Sequence, residues 1–224
     1  MMFDLNAEQL AEQAAKLGPD VLWAAGDVCS EDQVKAALDK ALTAFGALHF
    51  NINCAGVGTA AKTVGRDGPM PLEQFARVVQ INLIGTFNVL RLCATAMTKN
   101  TSQNEDGERG VIVNVASVAA WDGQVGQAAY SASKAGIVGM TLPIARDLAR
   151  EGVRVMTIAP GIFETPLLQA SPEVVRQSLI DMVQFPKRLG QPDEFADMVV
   201  HILQCAYLNG ESIRLDAGIR MQPR

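Results

Sequence analysis

Tyrosine occurs twice in this chain, at Tyr130 and Tyr207, and Tyr130 opens Y-S-A-S-K with Lys134 four residues on. Residues four apart on a helix share a face, one side chain above the other. An ammonium beside a phenol favours the phenolate and lowers a pKa that starts near ~10. Such a pair offers a proton donor or acceptor usable near neutral pH. A Tyr–Lys pair on a helix is common, so its neighbours must carry the reading.

Ser117 stands thirteen residues before Tyr130 and ends the apolar run V-I-V-N-V-A-S. Asn53, Cys54, Ala55 and Gly56 end an earlier run with small residues that let a ligand approach the backbone. Asn82 lies inside a helical pattern, in I-N-L-I-G, where its polarity is unwanted unless it makes a bond. Pro160, Gly161, Phe163 and Thr165 belong to P-G-I-F-E-T, which follows a third apolar run. Ligands of open α/β sheets bind beyond the carboxyl ends of the strands, so these positions point to one edge.

The elements that must hold them alternate along the chain. Helices are expected over Asn6–Leu17, from a Ser30 cap to Ala44, and over Leu72–Met97, Ala128–Arg150 and Pro192–Gln204. Ser30 and Gln33 read as a capping box. Strands are expected at Val21–Ala25, Leu48–Asn53, Gly110–Ala116, Val153–Ile158 and Ser212–Leu215, with loops from Gly56 to Pro71 and from Asn100 to Gly110. The strands are continuous apolar runs, which means both faces are covered and the sheet is parallel and doubly wound.

The chain has 224 residues, room for one sizeable core. It is 49% hydrophobic and 19% charged, with a net charge of −5. An acidic chain without a basic run is poorly suited to nucleic acid. No run of 18 apolar residues occurs, so no membrane span is expected. Cys29, Cys54, Cys93 and Cys205 have no metal-ligand spacing, and His49 and His201 read as structural. The start, M-M-F-D-L-N-A-E-Q-L, resembles neither a secretory nor a transit leader, and an intracellular, cytoplasmic protein without a metal is expected.

In order and spacing, Asn53/Ala55/Gly56, Asn82, Ser117, Tyr130/Lys134 and Pro160/Gly161/Thr165 resemble the short-chain dehydrogenase/reductase pattern. The resemblance runs from Phe3 to Pro223. The segments R-L-G-Q-P-D-E-F and L-N-G-E-S-I-R-L-D-A-G-I-R-M-Q-P resemble a branch of that family acting on 3-hydroxyacyl-CoA. The resemblance implies a role for each matched residue. By it, Tyr130 protonates the carbonyl oxygen, Ser117 holds that oxygen, Lys134 bonds the nicotinamide ribose, and Asn82 holds a water that relays the proton. It likewise implies that Asp4 bonds the adenosine ribose and selects NAD over NADP, while Asp27 and Val28 meet the adenine. Phe163 and Thr165 would lie on the nicotinamide side, Asn53, Cys54, Ala55, Gly56, Pro160 and Gly161 would also meet the cofactor, and Gln127 would join Ser117 at the substrate. The implied partners are a small-molecule substrate and, across paired long helices, further copies in a dimer or tetramer.

One part of the pattern fails. A Gly-rich phosphate loop belongs roughly 20 residues before an acid such as Asp4, and only three residues precede it here. Gly56-Val57-Gly58-Thr59-Ala60-Ala61 fits G-x-G-x-x-A but leads into glycines and prolines rather than a helix. The expectation is a single Rossmann-like domain over 1–224, N-terminally truncated, lacking its first strand and phosphate loop. The function expected is NAD-dependent interconversion of a secondary alcohol and a ketone, with 3-hydroxyacyl-CoA as substrate. The rivals are a steroid or short-chain alcohol dehydrogenase, and a catalytically empty homologue serving as a binding subunit. Trp121, Gln124, Gln127, Leu167 and Leu168 read equally as an apolar pocket or as core. Lys62 and Arg66 read more simply as a solvated loop than as a contact for CoA phosphates.

Overall fold

The computed structural model describes residues 1–165, 168 and 172–223; Leu167 lies outside them. A first small sheet pairs β1 (Met2–Asp4) with β2 (Trp23–Ala25) in parallel. The main sheet holds four parallel strands: β3 (Phe50–Asn53), β6 (Gly110–Val115), β7 (Val153–Pro160) and β8 (Ser212–Leu215), side by side in that order. The short antiparallel hairpin β4 (Val64–Gly65) and β5 (Gly68–Pro69) stands in the segment expected to be a plain loop. β1 and β3 do not pair with each other, and each leaves one edge without a strand partner among the described residues.

The alternation within β6 explains why its sequence is apolar throughout. Val111 and Val113 face one side of the sheet and pack with Met156, Ile158 and Ile202. Ile112 faces the other and packs with Leu90, Met97, Ile144 and Val155. Both faces are therefore covered, and burying each large side chain contributes roughly 1.5–3 kcal/mol. Because all four main strands are parallel, Asn53, Val115, Pro160 and Leu215 end on the same edge.

Helices α1 (Ala7–Leu17) and α2 (Glu31–Phe45) begin on the side-chain caps Asn6 and Ser30. Only half of the expected capping box forms: Ser30 accepts from the Gln33 amide, while Gln33 Oε1 turns to the Asp27 amide at 2.7 Å. The helix expected over Leu72–Met97 is interrupted. It comprises α3 (Leu72–Val79), a π-helical segment (Gln80–Gly85) and α4 (Thr86–Met97). The π turn inserts an extra residue into the winding and re-aims the side chains near it, here Asn82.

By length and mean hydropathy, 26 residues and 1.3, this segment would suffice to cross a bilayer, although polar residues interrupt its apolar run. In the fold Val78, Leu90, Cys93 and Met97 are core residues, and Asn88 bonds the Val28 carbonyl at 2.9 Å. The later helices among the described residues are α5 (Ala128–Leu148), α6 (Glu173–Met182) and α7 (Pro192–Gln204).

Candidate active site

A cavity of ≈ 840 Å³ opens where the main strands end. α5 begins at its rim, so Tyr130 and Lys134, one turn apart, both face it. Ser117 follows β6 in extended backbone and starts a 3-10 turn over Val118–Ala120, its Oγ accepting from the Ala119 amide at 3.2 Å. Cys54 and Gly56 come from the loop after β3, and Pro160, Gly161, Phe163 and Thr165 from the end of β7. Gln127 lines the cavity beside Tyr130. Val118, Leu168, Leu179 and Met221 supply apolar wall.

Lys134 is buried, and its Nζ donates to the Val115 carbonyl at 2.8 Å while standing 5.7 Å from the Tyr130 ring centre. Burial pushes its pKa down from the ordinary 10.5 to about 8, with Cys54 acting the other way. Burial likewise pushes the Tyr130 phenol up, opposed by a hydrogen bond with Ser117. This corrects the expectation of a phenol lowered by its lysine. Desolvation penalises both charged forms, and at Tyr130 it outweighs the hydrogen bond with Ser117. Tyr130 is therefore a neutral phenol, a proton donor. Cys54, at the cavity wall, has its thiol pushed up by burial.

Asn82 is fully buried and serves a different purpose from a solvent-facing amide. Its Oδ1 accepts from Val57 N at 2.8 Å, and its Nδ2 donates to Val57 O at 2.9 Å and Ser133 Oγ at 3.0 Å. Ser133 donates onward to the Tyr130 carbonyl at 2.7 Å. The chain of bonds joins the 54–58 loop, the π segment and α5. Ser133 was not singled out from sequence, although its spacing of three from Tyr130 is the signal that would have found it.

Other expected positions fall outside the cavity. Asn53 is buried in the sheet, donating to Asn51 and Asn114 at 2.9 Å each, and Ala55 is exposed beside it. Asp4, Asp27 and Val28 sit at or just past the ends of β1 and β2. Asp4 Oδ1 accepts from Asn6 N at 2.9 Å, and Asp27 Oδ1 from Cys29 N at 2.8 Å. Trp121 is half exposed and Gln124 bonds the Gln222 carbonyl at 2.9 Å, so neither lines the cavity. Lys62 and Arg66 are at the surface around the hairpin. Gly56–Ala61 runs into that hairpin and not into a helix, as its glycines and prolines implied.

The residues present fit the riboside end of a nicotinamide dinucleotide. A Cβ on Gly56 would stand 3.2 Å from Asn82 Oδ1 and 3.5 Å from Lys134 Nζ, closing space that glycine leaves beside the ammonium. Gly161 is needed for packing, since a Cβ there would come within 2.9 Å of the Asp216 backbone. At the other end Asp4 presents an exposed carboxylate at a strand end, the position from which an acid reaches a ribose.

A parallel sheet covered on both faces, with a phenol, an ammonium and a hydroxyl gathered at its strand ends, defines an oxidoreductase of the short-chain dehydrogenase kind. Residues 1–175 match the short chain dehydrogenase family, and the chain belongs to it. It is 55% identical to 3-hydroxyacyl-CoA dehydrogenase type-2 of Bos taurus over 225 residues, covering 100% of this chain and 86% of the relative. The Homo sapiens counterpart is 54% identical with the same coverage. The crystal structure of 3-hydroxyacyl-CoA dehydrogenase type-2 from Mycobacterium avium superposes with a TM-score of 0.95 at 41% identity, covering 100% of this chain and 86% of that one. Family membership makes this chain an NAD(P)-dependent oxidoreductase.

Proposed function

We propose that the chain is an NAD-dependent dehydrogenase that interconverts (S)-3-hydroxyacyl-CoA and 3-ketoacyl-CoA. The observation that carries this is the neutral Tyr130 phenol beside Ser117 and Lys134 in one apolar-walled cavity, in a chain so similar to type-2 3-hydroxyacyl-CoA dehydrogenases. When bound, the nicotinamide cofactor supplies or accepts the hydride at the substrate carbon. Tyr130 gives its proton to the carbonyl oxygen during reduction and takes it back during alcohol oxidation. Ser117 donates to that same oxygen and fixes its distance from the phenol. Lys134 holds the ribose, and its charge stabilises the phenolate left behind.

Asp4 supports NAD, because its carboxylate suits two ribose hydroxyls and repels a 2′-phosphate. The carbonyl of Asn82 already accepts from Thr86 Oγ1 at 2.6 Å, and its amide is occupied by Val57 and Ser133. Asn82 therefore holds the site together, with a water at that carbonyl as an addition. Exposed Ile84, Phe87 and Leu142 on the long helices suit a self-association face in a dimer or tetramer; sedimentation showing monomer alone would remove this part.

The test is cofactor reduction or oxidation measured against acetoacetyl-CoA, a steroid ketone and a simple ketone. Acetoacetyl-CoA should give the highest kcat/KM. A steroid or simple ketone turned over better would replace the acyl-CoA assignment. No turnover with any of them would point to the empty-homologue reading.

A further inference from the structure

One guanidinium ties together two segments far apart in sequence, 117–125 and 216–223. Arg214, in β8, donates through Nη2 to Asp122 Oδ2 at 2.5 Å and through Nε to Asp216 Oδ2 at 2.7 Å. Nη2 also reaches the Ile219 carbonyl at 3.1 Å, and the guanidinium carbon stands 5.2 Å from the Trp121 ring centre. The two carboxylates are only 15% and 9% exposed. Sheltered ion pairs are screened far less than surface ones, and the guanidinium fork fixes geometry as well as charge.

Both ends of this clamp lead to the cavity. Asp122 closes the short segment that begins with Ser117. Past Asp216 the chain reaches Met221, which forms cavity wall. Val118 and Ile219 pack in one buried cluster with Val183, and Met221 packs against it. Beyond the clamp the tail is held more lightly: Gln222 O accepts from Gln124 Nε2 at 2.9 Å, and Pro223 O from Val125 N at 3.0 Å.

We infer that Arg214 is a positioning residue that clamps the 216–223 tail onto Asp122, holding Met221 in the cavity wall and so setting which acyl chains the enzyme accepts. This rests on the acyl-CoA reading for its choice of substrates. A purely structural arginine would lower the amount of active protein equally for every substrate. A clamp changes the dependence on chain length.

The experiment compares Arg214→Met and Arg214→Lys with the unaltered chain, using acetoacetyl-CoA and longer 3-ketoacyl-CoA thioesters. In Arg214→Met, KM for the longer thioesters should rise about tenfold while kcat falls less than about threefold. Arg214→Lys, which keeps the charge, should recover part of the loss.

Trypsin cleavage after Arg220 reads the tail without any activity. Release of residues 221–224 should be about tenfold faster in Arg214→Met, because cleavage reports local opening. Equal release in both proteins, or a fall in kcat/KM that is the same at every chain length, would overturn the clamp. If the unaltered chain turns over no acyl-CoA, the acyl-CoA reading fails by itself. Tail release and the same length series with aliphatic ketones then decide the clamp.

Discussion

Asn82 grips both backbone groups of one residue, accepting from Val57 N at 2.8 Å and donating to Val57 O at 2.9 Å. A side-chain amide so placed imitates a strand neighbour and gives the 54–58 loop a fixed height above α5. The π segment is what aims it.

Asn82→Ala leaves the Val57 amide and carbonyl unpaired beside Ser133. A buried polar group left without a partner costs about 1–3 kcal/mol, and a loss of about 3 kcal/mol is expected in urea unfolding. The KM for the cofactor should rise with it, since the loop carries Cys54 and Gly56. A stability change within about 0.5 kcal/mol would show that the loop does not depend on this amide.

Tyr130→Phe removes the proton donor and keeps the ring. Turnover should fall by about 10²–10⁴-fold, the usual worth of a positioned acid. The thermal midpoint should move little, since only the hydroxyl and its bond with Ser117 are lost. Steady-state kinetics and calorimetry on the same preparation check both halves. Activity within threefold of the parent would exclude Tyr130 as the acid.

Lys134→Met should abolish activity and yet stabilise the cofactor-free chain. The folded pKa lies near 8 against an ordinary 10.5, so burial of the charge costs up to about 3 kcal/mol at neutral pH. The Val115 carbonyl loses its donor, which returns about 1 kcal/mol. The sign with pH follows from the depressed value. Below pH 8 both states carry the proton and the cost is present in full. From pH 8 towards 10.5 the folded lysine releases its proton first, so stability rises with pH. That rise should vanish in Lys134→Met. Parallel stability–pH curves for the two proteins would contradict the assignment.

Asp4→Ala should shift cofactor preference. Removing the carboxylate takes away two ribose hydrogen bonds and the repulsion of a 2′-phosphate, and the NADP:NAD ratio of kcat/KM should rise about tenfold, or ~1.4 kcal/mol. Asp4 is exposed and its side chain accepts from the Asn6 amide, its one bond among the described residues, so stability should barely change. An unchanged ratio would show that Asp4 does not read the ribose.

Local signals sufficed for the long helices, for the four strands of the main sheet and for the edge at which chemistry collects, but not for the β4–β5 hairpin. Apolar runs, caps and glycine–proline breaks are written in neighbouring residues, and strands parallel to one another must end together. Tyr130, Lys134, Ser117, Gly56 and Gly161 were legible for that reason. Three other features came from tertiary packing. The π turn at Gln80–Gly85 has the same apolar pattern as an α-helix, and the bonds of Asn82 to Val57 and Ser133 join residues that no local pattern brings together. The pKa values of Tyr130 and Lys134 depend on how much water the fold removes, and spacing by four cannot state that. The clamp from Arg214 to Asp122 spans a separation in sequence that no periodicity records, because it exists only where β8 and the segment after β6 are brought together.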